Sequence, residues 1–108
     1  MIIAVDFDGT LCSDNYPNIG AANTRLIQIL RKKQKLGDKL ILWTCRAGER
    51  LTEAVEWCRK QGLVFDAVND NLPEMIAFWG NDSRKISADI YIDDKAEVPW
   101  ELVMDRAI

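Results

Sequence analysis

Three short apolar runs, each closed by an acid or a threonine, constrain what this chain of 108 residues can fold into. Ile2-Ile3-Ala4-Val5 stops at Asp6, Leu40-Ile41-Leu42-Trp43 stops at Thr44, and Ile90-Tyr91-Ile92 stops at Asp93. Runs that are apolar at every position, rather than at alternate ones, are expected of strands covered on both faces, as in a parallel sheet. Residues 1–6 are therefore read as the first strand.

Between these runs the periodicity changes. Within 21–36, Ala22, Leu26, Ile29, Leu30 and Leu36 recur at roughly helical spacing, and Gly37 supplies a stop. Leu51, Ala54, Val55 and Cys58 make a second helical stripe closed by Gly62. Residues 63–68 read as a weaker strand, and Pro73 is placed to open a short helix through Phe78. Residues 8–20 are dense in turn formers, with Gly9, Asn15, Pro17, Asn18 and Gly20, and read as a loop that overhangs the sheet edge. The β-α-β-α-β alternation predicts a three-layer α/β/α sandwich around a mostly parallel, Rossmann-like sheet with its first strand central.

With 48% of its residues apolar, the chain can bury one core, so residues 1–108 are expected to form one domain. The segment 95–108, with Pro99, Trp100, Leu102, Val103 and Met104, either folds back onto the sheet or covers a partner subunit in a homo-oligomer.

Composition removes several function classes. Lys and Arg number 14 against 17 Asp and Glu, a formal charge of -3 that gives no footprint for nucleic-acid backbones. Histidine is absent, which excludes Ser-His and Cys-His catalysis and histidine-ligated metals. Cys12, Cys45 and Cys58 are odd in number and lack CxxC spacing, as expected of free thiols in a reduced, intracellular protein. No apolar run approaches the twenty or so residues of a membrane span, so a cytoplasmic protein is expected.

In an open parallel sheet, ligands collect beyond the carboxyl ends of the strands. Asp6 and Asp8 lie two apart, so in an extended chain both side chains leave on one face. One carboxylate can attack phosphorus to form an aspartyl-phosphate, while a second gives its proton to the departing oxygen and later activates water. Asp6 takes the first role and Asp8 the second. Asp6, Asp8, Asp93 and Asp94 would repel one another unless a hard divalent cation neutralises them, and magnesium suits that donor set, with Asp6 and Asp93 as direct ligands. The Thr44 hydroxyl and the Cys45 amide are candidates to hold phosphoryl oxygens, and Arg46 is a candidate substrate clamp.

The hexapeptide Asp6-Phe7-Asp8-Gly9-Thr10-Leu11 resembles the first signature of the haloacid dehalogenase (HAD) superfamily, a large group of aspartyl-phosphate hydrolases. The apolar run ending in Thr44 resembles its second motif, Lys85 corresponds to its third, and Ile90-Tyr91-Ile92-Asp93-Asp94 resembles its acidic fourth. The four stand in the family order and span most of the chain. The resemblance implies a HAD-like fold with Asp6 as nucleophile and metal ligand. It also implies Asp8 as acid-base residue with its backbone carbonyl on magnesium, Asp93 as the remaining ligand and Asp94 binding through water. Lys85 would meet the phosphate, with Lys95 a rival for the same charge. An acid two residues after the nucleophile favours phosphoesters over carbon-halogen bonds. No interval between motifs is long enough for a cap domain. The implied activity is that of a capless, magnesium-dependent phosphatase acting on a phosphorylated substrate.

Three alternatives remain open from the sequence. The aspartyl-phosphate of a phosphotransferase is captured by another hydroxyl, a non-catalytic relative only binds phosphate, and a receiver-like signalling module is stably phosphorylated. A receiver carries its adjacent acidic pair on the first strand, whereas here that pair comes last. Trp43, Trp57, Trp79 and Trp100 are read as packing residues, Asn69, Asp70 and Asn71 as turn chemistry, and Arg31, Lys32, Lys33 and Lys35 as a solvated helix face.

Overall fold

The opening apolar run forms β1, Ile2–Val5, whose alternate side chains serve two cores. Ile3 and Val5 pack on one face of the sheet with Leu40, Leu42, Ile90 and Ile92. Ala4 packs on the other with Ile41 and Leu72, and Ile2 and Tyr91 lie at the margin of that cluster. Because both faces are covered, a polar residue anywhere in the run would be buried, which is why none interrupts it.

The computed structural model describes residues 1–70, 72–74, 76 and 88–93. After β1 come β2 (Cys12–Asn15), β3 (Asn18–Ala22), α1 (Thr24–Lys35), β4 (Lys39–Leu42), α2 (Gly48–Lys60), β5 (Ala67–Val68) and β6 (Ile90–Ile92). The main sheet has the order β5-β4-β1-β6 and is parallel throughout, so β1 is an interior strand, as its sequence requires. Val5 pairs with Leu42 on one side and with Ile92 on the other. Helices α1 and α2 cover one face of the sheet, burying Leu26, Ile27 and Leu30 from the first and Ala54 and Cys58 from the second. Each fully buried leucine contributes roughly 1.5–3 kcal/mol. The fold is thus α/β, built, among the described residues, on a parallel sheet of four strands.

Two expectations are corrected. The region 8–20 is not a plain loop: β2 and β3 pair antiparallel as a separate hairpin turning at Tyr16 and Pro17. After the buried Cys12, β2 is polar and exposed, and β3 sets only Ile19 and Ala22 against the core, so backbone pairing defines the hairpin and no apolar alternation announces it. The strand placed at 63–68 shrinks to Ala67–Val68. Leu63 is buried without belonging to the sheet, its N–H donating to the Cys58 carbonyl at 3.0 Å at the end of α2.

Lys33 also departs from expectation. Arg31, Lys32 and Lys35 are exposed, but Lys33 is fully buried, with its Nζ 3.5 Å from the Asp38 carboxylate. Among the described residues no helix is long and apolar enough to cross a membrane. Of the helix expected from Pro73 through Phe78, residues 73, 74 and 76 are described and are helical, while Asn71, Trp79, Lys85, Asp94, Lys95, Trp100 and the remainder of segment 95–108 lie outside the described residues.

Candidate active site

The parallel ladder runs one step beyond the strands, and this sets the order of the residues that end them. The Asp6 N–H donates to the Ile92 carbonyl at 2.8 Å, the Trp43 N–H to the Val5 carbonyl at 2.9 Å and the Asn69 N–H to the Leu42 carbonyl at 2.7 Å. Asp93, Asp6, Thr44 and Asn69 therefore follow the ends of β6, β1, β4 and β5 in spatial order along one edge. Neighbouring strands lie about 4.8 Å apart. Asp6 and Asp93 are each half-buried and follow adjacent strand ends, so strands far apart in sequence bring two aspartates to neighbouring positions on the edge.

After Asp6 the chain turns sharply. The N–H groups of Thr10 and Leu11 both donate to the Phe7 carbonyl, at 3.1 and 3.0 Å, and the Gly9 N–H donates to the Cys12 carbonyl at 2.9 Å. Gly9 holds a φ of 81°, which a side chain would disfavour. Phe7 and Leu11 are buried, whereas Asp8 stays half-exposed. Asn23, the cap of α1, stitches the helix to this turn: its N–H donates to the Leu11 carbonyl at 2.8 Å and its Nδ2 to the Thr10 carbonyl at 3.0 Å.

Arg46 completes the site from the far end of β4. Its Nε donates to Asp8 Oδ2 at 2.8 Å and its Nη2 to Asp8 Oδ1 at 2.7 Å, a two-pronged pair. Nη1 reaches the Pro17 carbonyl at 3.3 Å, and Nη2 also reaches the Asn18 carbonyl at 2.9 Å. The Cζ atom lies 5.0 Å from the centroids of both the Phe7 and the Tyr16 rings. Arg46 is only 3% exposed, and its bond to Asp8 raises its pKa above the ordinary arginine value. The residue read as a substrate clamp thus directs its N–H groups at the protein's own oxygens.

Thr44 is half-buried, with its N–H donating to Asn69 Oδ1 at 2.7 Å and its hydroxyl accepting from the Arg46 N–H at 3.1 Å. Cys45 is exposed beside it. Cys12 and Cys58 are buried, and burial pushes both thiols up, Cys58 to about 12.

Among the described residues no group of three or more His, Cys, Asp or Glu gathers to hold a metal ion. Asp6 and Asp93 follow adjacent strand ends, and both are hard oxygen donors of the kind magnesium takes, one or two carboxylates with waters and phosphate oxygens completing the shell. Two contributors escaped the sequence reading. Asn69 orients Thr44 through a side-chain bond, and the turn of the hairpin supplies the carbonyls that fasten Arg46. The dense Asn and Pro of both segments was the available signal, though it specifies turns and not what they hold.

No known family profile matches the chain, and no curated protein does. Its structure is similar to that of the conserved protein coded by locus from Bacteroides thetaiotaomicron, with a TM-score of 0.83 and 44% sequence identity over 97% of this chain and 87% of that one. Identity at this level over nearly the whole of both chains shows that this protein belongs to the same family as that conserved Bacteroides thetaiotaomicron protein.

Proposed function

We propose that the protein is a capless, magnesium-dependent phosphomonoesterase of the HAD type, with a three-layer core, working in the cytoplasm through an aspartyl-phosphate on Asp6. The observation that carries this reading is the juxtaposition of Asp6, Asp8, Thr44 and Asp93 at one sheet edge. The central register, Val5 between Leu42 and Ile92, places their strand ends side by side.

In the first step an Asp6 carboxylate oxygen bonds to phosphorus as the ester P–O bond breaks, and the departing oxygen takes a proton from Asp8. In the second, water bonds to phosphorus while giving a proton to Asp8, and the bond between phosphorus and Asp6 breaks to release phosphate. Asp6 and Asp93 would hold magnesium, with the Asp8 carbonyl and, through water, Asp94. When bound, the ion offsets the negative charge that the nucleophile must approach. The Thr44 hydroxyl and the Cys45 amide would receive phosphoryl oxygens, and Lys85, or Lys95 in its stead, would supply the remaining positive charge.

The test is phosphate release from a panel of phosphomonoesters. Turnover that requires magnesium, stops with a chelator and disappears in Asp6→Asn is expected. Absence of turnover by the intact protein across the panel would overturn the reading and favour a phosphate-binding module. Adding an alcohol separates hydrolysis from transfer, since a transferase yields a new phosphoester.

A further inference from the structure

We infer that Arg46 is a positioning residue: it aims the Asp8 carboxylate and, with the same guanidinium, fastens the β2–β3 hairpin beside it. The inference rests on the phosphatase reading, because it assigns a partner to that reading's acid-base group.

The geometry is specific to both tasks. A carboxylate on a single bond to its Cβ can rotate, and a point contact leaves that rotation free. Two parallel N–H bonds at 2.8 and 2.7 Å fix the plane of the Asp8 carboxylate. An ionised carboxylate offers about four lone-pair sites, so two bonds from Arg46 leave others for the proton in transit. The guanidinium is itself held from several directions. Phe7 and Tyr16 both present rings 5.0 Å from Cζ, and the Pro17 and Asn18 carbonyls accept two further bonds. Phe7 is fully buried and belongs to the turn that carries Asp8, so one side of this holder is the core. Tyr16 is 59% exposed and belongs to the hairpin, so the other side is a surface element held by the contact. A substrate clamp would need donors turned to the substrate; here four hydrogen bonds from Arg46 end on Asp8 and on the hairpin.

If Arg46 acts through Asp8, its loss matters most when the departing oxygen needs a proton. Nitrophenolate leaves readily without one, whereas an alkoxide does not. Arg46→Lys keeps the charge but not the fork, and kcat/KM should fall about 100-fold for an alkyl phosphate but less than about 10-fold for p-nitrophenyl phosphate. Asp8→Asn should show the same selectivity, and the double variant should be no slower than Asp8→Asn alone, since the two residues form one unit. Should Arg46→Lys fail to fold, Tyr16→Ala removes only the exposed ring and should give a smaller loss biased towards the alkyl phosphate. Equal losses on both substrates, or additive losses in the double variant, would overturn the inference while leaving the phosphatase reading intact. No turnover of either substrate by the intact protein would overturn both.

Discussion

The amide of Thr44 donates to the carboxamide oxygen of Asn69 at 2.7 Å, across the carboxyl ends of β4 and β5. Asn69 does this with a φ of 53°, a left-handed backbone that asparagine tolerates better than most residues. It therefore fills two requirements, one conformational and one hydrogen-bonding. Asn69→Gly relieves the first and loses the second, whereas Asn69→Ala fails both. We predict that Asn69→Ala lowers stability by about 1–3 kcal/mol and Asn69→Gly by less. Urea denaturation measures both, and an alanine variant as stable as the parent would contradict the account.

Gly20 lies against Ser13 across the hairpin. A Cβ there would collide with both the carbonyl oxygen and the Oγ of Ser13, and the backbone atom cannot swing away. Gly20→Ala should cost about 1–3 kcal/mol and raise amide exchange within β2 and β3 more than in β1. Undisturbed exchange in the hairpin would show that the approach is not constrained.

Thr10 offers a change in the opposite direction. Its hydroxyl is buried and has no hydrogen-bond partner among the described residues. An unsatisfied buried polar group costs about 1–3 kcal/mol, so Thr10→Val should be at least as stable as the parent. A loss above about 1 kcal/mol in chemical denaturation would show that the hydroxyl is satisfied in solution.

The thiols give a pH dependence. Burial, followed by the nearby Cys12, raises Cys58 from 9.0 to about 12. Below pH 9 the thiol is protonated in both folded and unfolded chains and contributes no slope. Between 9 and 12 only the unfolded chain ionises, so stability falls with pH by up to about 1.4 kcal/mol per unit. Cys58→Ala should flatten that decline, and a variant with the parental slope would contradict the assignment. In native conditions a thiol reagent should label the exposed Cys45 well before Cys12 or Cys58.

The legible parts of this fold are those where one physical demand dominates. Ile2–Val5, Ile90–Ile92 and, after the exposed Lys39, the rest of Lys39–Leu42 had to be apolar because the sheet is covered on both faces, and the polar residues that follow them, Asp6, Thr44 and Asp93, were visible for the same reason. The hairpin was not legible because Ser13, Asp14, Asn15 and Asn18 lie in strands exposed to solvent, where sequence carries no burial pattern. Lys33 was misjudged because its partner Asp38 lies beyond the helix, where helical spacing says nothing. The pairing of Arg46 with Asp8 spans 38 positions and exists only once β1 and β4 are in register.

The central claim is that Asp6 itself becomes phosphorylated. Quenching the protein during turnover of a phosphomonoester and reducing it with borohydride converts an aspartyl-phosphate to homoserine, which peptide mass spectrometry locates. The account predicts homoserine at position 6, dependent on substrate and magnesium. Sustained phosphate release with position 6 unmodified and another residue labelled would contradict it.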